Sequence, residues 1–125
     1  MYIKKLNPVS QCPLEYVLDI FGKKWSSKVF CLIRKEESVR YTDFRNLLEG
    51  ISDPVLASTL KLLIQHGIVE RKSYDEMPIR VEYSLTEKGK SAIPVLEGLC
   101  KWTALYRDEH DKDILHLCAD CPIWK

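Results

Sequence analysis

The segment GISDPVLASTLKLLIQHGIVER, residues 50–71, constrains the fold more than any other part of the chain. Ser52 is a good N-cap, because its hydroxyl can accept from a free backbone N–H of the first turn, and Pro54 sits in that turn, where a missing N–H costs nothing. A helix therefore begins here. Leu56, Leu60, Leu63 and Ile64 recur at the spacing of one helical face, while Ala57, Ser58, Lys61 and Gln65 fall opposite and are small, polar or cationic. Gly67 follows the last periodic residue, the usual place for a left-handed cap, and Ile68 and Val69 open a strand-like run. The spacing predicts an amphipathic helix of about four turns. One side belongs to a core, and the other is slim enough to lie against a DNA duplex, since nothing bulky holds the backbone away from base edges. A surface helix of an all-α domain carries the same pattern, so the flanking segments decide.

Upstream, Cys12 and Pro13 mark the start of a helix with the apolar stripe Leu14, Val17, Leu18 and Phe21, and Tyr16 and Ile20 beside it. That is more apolar surface than one short helix needs, so part of it is expected to meet another surface. Beyond Gly22 a second helix carries Trp25, Val29, Phe30, Leu32 and Ile33, with Lys24 and Lys28 four apart on an exposed side. Residues 34–39 are charged and read as a loop. A third helix begins at Arg40, with Thr42 as its cap and Phe44, Leu47 and Leu48 inward, and ends at Gly50. Two short helices separated by Glu49, Gly50 and Ile51 make a helix-turn-helix, with Gly50 taking the turn conformation and Ile51 plugging the angle.

From residue 68 to 85 the period changes to two. Two strands around a loop of Asp75, Glu76, Met77 and Pro78 predict a protruding hairpin, on or beside which Arg71, Lys72 and Arg80 could reach phosphates. Ordinary solvated charges on a hairpin are the alternative. Thr86, Glu87 and Lys88 then start a last long helix, interrupted at Gly89 and re-started near Pro94, carrying Ile93, Leu96, Leu99, Cys100, Trp102, Leu105 and Tyr106.

At 125 residues the chain suits one domain with a single core. No apolar run approaches the roughly 20 residues that span a bilayer, and a cytoplasmic protein with no membrane partner is expected. Net charge is only +1, but residues 22–80 hold eleven Lys and Arg against eight Asp and Glu, while residues 107–125 hold three against five. The positive excess lies around the helix-turn-helix, a mild asymmetry that chance also produces. No nucleophile with a partnered base, phosphate-cradling glycine loop or carboxylate dyad is evident, so neither an enzyme nor a cofactor is expected.

The five cysteines do not suggest a disulfide framework. Cys31 and Cys100 fall in apolar stripes and read as core. Cys12 stands at the positive end of a helix dipole, a setting that favours a reactive thiolate, with a packed interface cysteine as the alternative. Cys118 and Cys121, with His110 and His116, have the spacing of a metal or reversible disulfide site, but a lone C-x-x-C pair is a weak signal and an unpaired tail is the default.

The order of elements predicts an α+β, mainly α chain: a winged helix-turn-helix with N- and C-terminal dimerisation helices. The blocks Cys12 and Pro13, GKKW at 22–25, RYTDF at 40–44, GIS at 50–52, HGIVER at 66–71, MPIRVEYSLTEKG at 77–89 and LCKW at 99–102 together resemble the HxlR-type (DUF24) transcriptional regulators, relatives of the MarR group. The likeness covers a core of residues 12–106 and leaves 107–125 as a tail. It implies a homodimer on double-stranded DNA at an inverted-repeat promoter site. The dimer would use Leu14, Val17, Leu18, Phe21, Leu96, Leu99, Trp102, Leu105 and Tyr106, and Cys12 matches a position that senses oxidants or electrophiles in some members. The helix of residues 52–65 would enter the major groove. The expected DNA contacts are Lys24, Lys28, Arg40, Ser52, Asp53, Pro54, Ala57, Ser58, Lys61, Arg71, Lys72 and Arg80. The family often carries Arg or Gln where Pro54, Ser58 and Thr59 stand here. Lys61 is then the cation of the reading face, with Ser58 and Thr59 offering single hydrogen bonds or a methyl contact. A thiol or metal sensor acting through Cys118 and Cys121, and a winged-helix module that binds protein, are the competing functions. No effector, whether small molecule or oxidant, is identifiable from the sequence.

Overall fold

The computed structural model describes residues 12–106. Helix α1 (Pro13–Phe21) is capped by Cys12, whose sulfur accepts the Glu15 N–H at 3.4 Å, with Pro13 in the first turn. Helix α2 (Ser26–Glu36) buries Val29, Phe30, Leu32 and Ile33. It runs through Arg34, Lys35 and Glu36, which the charge pattern assigns to a loop. These three residues are good helix formers, and charge alone does not end a helix whose apolar stripe continues to Ile33.

Val39 is fully buried and pairs antiparallel with Tyr83, exchanging N–H···O bonds of 2.9 and 2.8 Å. One residue of extended chain thus ties the start of helix α3 (Tyr41–Leu47) to the hairpin. The α3 cap also differs from expectation. Arg40 is the N-cap, and the Asp43 carboxylate accepts the Arg40 N–H at 3.0 Å, while Thr42 is exposed inside the helix. Phe44 and Leu48 point inward, but Leu47 is 53% exposed, because only every third or fourth position of so short a helix faces the core.

Gly50 takes the turn with φ +87°, and helix α4 (Asp53–Gln65) starts under a Ser52 cap, its hydroxyl accepting the Val55 N–H at 3.4 Å. Leu56, Leu60 and Leu63 are buried and Ile64 is half-buried. Gly67, at φ +72°, ends the helix in a Schellman arrangement: its N–H reaches Ile64 O at 3.0 Å and the Ile68 N–H reaches Leu63 O at 2.9 Å. A side chain at Gly67 is strained whatever the space around it.

Strands β1 (Val69–Tyr74) and β2 (Arg80–Leu85) form a two-stranded antiparallel sheet with Val69 opposite Leu85 and Tyr74 opposite Arg80. The sheet's inner end is core: Val69, Tyr83 and Leu85 are buried, and the Tyr83 ring meets Phe44 edge-on at 5.8 Å. Its outer end protrudes around a cis Met77–Pro78 bond.

Helix α5 (Glu87–Ser91) sits under a Thr86 cap whose hydroxyl accepts the Gly89 N–H and donates to the Gly67 and Ile68 carbonyls. A Cβ at Gly89 would collide with the Ile68 carbonyl oxygen, which is why α5 can pack this close to the end of α4. The Lys88 ammonium lies over the Tyr16 ring and donates to His66 O at 2.8 Å and to the Tyr16 hydroxyl at 3.2 Å, joining α1, α4 and α5. The chain groups into two compact units, Met1–Lys90 and Ser91–Lys125. Helix α6 (Ile93–Leu105), the described part of the second, restarts with Pro94 in its first turn.

Candidate nucleic-acid interface

The face of α4 opposite the core presents Asp53, Pro54, Ala57, Ser58, Lys61 and Gln65, all exposed. Ala57 has no reach, and Ser58 donates to the Val55 carbonyl at 3.0 Å, leaving its lone pairs outward. Thr59 does not belong to this face. It lies three residues after Leu56 and four before Leu63, which turns it into the core, where it is 8% exposed. The Ser52 hydroxyl is engaged in capping.

The start of α4 is tied to α3 twice. The Tyr41 hydroxyl donates to Asp53 O at 3.3 Å, and Arg45 Nε pairs with Asp53 Oδ1 at 3.1 Å. Burial raises the Tyr41 pKa above 10.0, the carboxylate of Asp53 and then Tyr83 add to the rise, and Arg45 opposes it. A polar cleft of ≈ 570 Å³ opens between the two helices, lined by Thr42, Arg45, Asn46, Ile51 and Asp53. Sequence reasoning singles out Asp53 but misses Arg45. The signal that could have found it is its place on the solvent side of α3, next to the turn that presents α4.

The other expected contacts are more divided. Lys24 and Lys28 stand over the Trp25 ring, 5.3 and 4.5 Å from its centroid, so both ammonium groups are partly engaged by an aromatic face at the start of α2. Arg40 is exposed at the α3 cap, and Arg71 and Lys72 are exposed along β1. Arg80 is built into the wing. Its guanidinium pairs with Glu76 at 3.1 Å and Glu82 at 3.2 Å and lies 3.9 Å over the Tyr74 ring, while Ser38 donates to the other Glu82 oxygen at 2.9 Å.

The expected dimer residues separate in the same way. Phe21 is half-buried with its ring edge-on to Phe30 at 5.2 Å, and Val17 is half-buried, but Leu14 and Leu18 are exposed. Ile20, placed beside the stripe, is the buried residue of α1. In α6, Leu96 is half-buried while Leu99, Trp102, Leu105 and Tyr106 are exposed, and no residue of that helix is buried.

Cys12 is exposed. Cys31 and Cys100, expected in the core, are half-buried: Cys31 lies across α2 from the buried face of Ser26, Val29, Phe30 and Ile33, and α6 buries none of its residues. His110, His116, Cys118 and Cys121 lie outside the described residues, and among those described no group of three His, Cys, Asp or Glu could hold a metal. No helix among the described residues is long and apolar enough to cross a membrane.

Two helices at a tight turn, the second with one buried and one polar side, and a two-stranded hairpin behind them define a winged helix-turn-helix protein of the MarR-like transcriptional regulators. The chain belongs to the HxlR-like helix-turn-helix family, which it matches over residues 20–111. It is 40% identical over 95 residues to an uncharacterized HTH-type transcriptional regulator of Methanothermobacter thermautotrophicus, covering 76% of this chain and 72% of that protein. Among solved structures it is similar to the redox regulator HypR in its oxidized form, with 35% identity over 78% of this chain and 99% of that one and a TM-score of 0.69. It is also similar to the reduced form of the transcriptional regulator YodB from B. subtilis, with 29% identity, coverage of 81% and 99%, and a TM-score of 0.70. Its relatives are transcriptional regulators and not enzymes.

Proposed function

We propose that this transcriptional regulator binds an inverted repeat in promoter DNA as a cytoplasmic homodimer, with α4 of each copy in the major groove. The observation that carries this is the exposed side of α4: short polar side chains and the exposed cation Lys61, opposite a fully packed face. Two such helices in a two-fold pair read half-sites about one helical turn apart, and the exposed Arg71 and Lys72 of each wing fall to the flanking phosphates. Exposed Leu14 and Leu18 on α1, and Leu99, Trp102, Leu105 and Tyr106 on α6, supply the apolar surface for pairing. The test is fluorescence anisotropy with the DNA upstream of its own gene against random duplex, over a salt series. Wild type should prefer the former at moderate salt. Lys61→Ala, and Arg71→Ala with Lys72→Ala, should flatten the slope of log K against log salt by about 0.9 for each phosphate that is no longer neutralised. Equal affinity for both duplexes overturns the reading.

Thiol sensing is a second reading, favoured by one observation: Cys12 is exposed at the cap of a helix that also carries exposed Leu14 and Leu18. The similarity to the redox regulator HypR supports it. Oxidant should then change DNA affinity in wild type and leave Cys12→Ser unchanged. Insensitivity of the wild type excludes it.

A further inference from the structure

The reading face of α4 carries no arginine, the side chain whose rigid fork suits a guanine edge, and α3 supplies one. We infer that Arg45, braced by Asp53, recognises guanine in the major groove; this rests on the DNA-binding reading above. Arg45 lies in the last turn of α3 and Asp53 is the first residue of α4, so the pair spans the helix-turn-helix. Its Nε donates to Asp53 Oδ1 at 3.1 Å, with the two side chains 53% and 58% exposed. Among the described residues, Asp53 is the one group that pairs with this guanidinium, which leaves the terminal NH1 and NH2 amines available. Those two amines form the fork that fits O6 and N7 of guanine.

Three features favour a base edge over a phosphate. The first residues of a recognition helix are the ones that reach base edges, and Asp53 holds Arg45 at that depth. A phosphate bound to Arg45 would sit beside the Asp53 carboxylate, anion against anion, whereas a guanine edge carries no net charge. The brace also fixes the guanidinium plane before DNA arrives, so less side-chain freedom is lost on binding, an advantage for a directional contact and of little use for a diffuse one. Asp53 Oδ2 is left as an acceptor, suited to the N4 amine of a cytosine in the same or the adjoining pair. The open polar cleft lined by Thr42, Arg45, Asn46, Ile51 and Asp53 gives a base-pair edge access to both groups.

The test is selection of bound sites from randomised duplexes by the full chain, followed by affinities for the selected site and for its single-base variants. Wild type should select a guanine in each half-site, with a loss of about tenfold to a hundredfold when it is replaced. Arg45→Ala should erase that preference, and Arg45→Lys should weaken it, Lys keeping the charge but lacking the fork. Asp53→Ala should weaken the preference at the same base pair. Tyr41→Phe, which removes the other tie between α3 and α4, should leave it intact, and this separates reading from helix bracing. If wild type selects no sequence at all, the DNA-binding reading and this inference fall together. If it selects a site that Arg45→Ala reads unchanged, or if Arg45→Ala weakens all sequences equally and lowers the salt slope, only the inference falls.

Discussion

Tyr41 shows how much a single side chain at this site is asked to do. It opens α3, its hydroxyl donates to the first backbone carbonyl of α4, and burial together with the nearby Asp53 carboxylate favours its neutral form. A tyrosine whose folded pKa is raised adds stability that is fully present below its unfolded value and disappears as pH rises through the folded one. Urea melts between about pH 9 and pH 11 should therefore show wild type losing more stability than Tyr41→Phe, which cannot ionise. Parallel slopes for the two proteins would refute it. At neutral pH the same substitution removes one partly exposed hydrogen bond and should cost about 0.5–1 kcal/mol. The Tyr41 tie was not legible in the sequence, because residues 41 and 53 are joined only after the turn at Gly50 has folded.

At the scale of elements, the wing illustrates the gap between a cation's presence and its availability. The alternation of residues 69–74 and 81–85 and the Pro78 loop mark a hairpin, and the hairpin is there, with strands of residues 69–74 and 80–85 paired. What alternation could not reveal is that Arg80 is held by Glu76, Glu82 and Tyr74, with Ser38 bonded to Glu82 from the segment after α2. Arg80 thus ties the loop residue Glu76 and the strand residues Tyr74 and Glu82 together at the outer end of the wing. Arg80→Ala should raise hydrogen exchange across β1 and β2 while changing global stability by only about 1 kcal/mol, since ion pairs that keep partial access to water contribute little. Unchanged exchange in the wing would show the clasp to be incidental. Val39 belongs to the same account: an isolated apolar residue between the polar Ser38 and the charged Arg40 has no period to detect, yet its bridge to Tyr83 anchors the hairpin beside α3.

For the whole molecule, the exposed apolar side chains are what the proposed homodimer would bury. A chain of this size does not leave Leu99, Trp102, Leu105 and Tyr106 of one segment in water without reason, nor Leu14 and Leu18 of another. Trp102→Ala with Leu105→Ala should shift sedimentation from dimer toward monomer and weaken binding to a two-half-site operator far more than to a single half-site, because linked sites gain from effective concentration. A wild type that sediments as a monomer at micromolar concentration contradicts this. Leu14→Ala with Leu18→Ala provides the matching test on α1, chosen because Val17 and Phe21 already serve their own chain's packing.

The order of the elements is legible along the chain, though not every boundary or cap, because caps, glycines and periodicity are local: Ser52 and Pro54 start a helix, Gly67 ends it, and a period of two follows. Which side chains stay free to act emerges once the elements pack. Thr59 turned inward, Arg80 and the lysines beside Trp25 found partners, and Arg45 came to lie against Asp53. Pairings of that kind depend on where separate helices and strands meet, and no spacing along a single element encodes the distance between two of them.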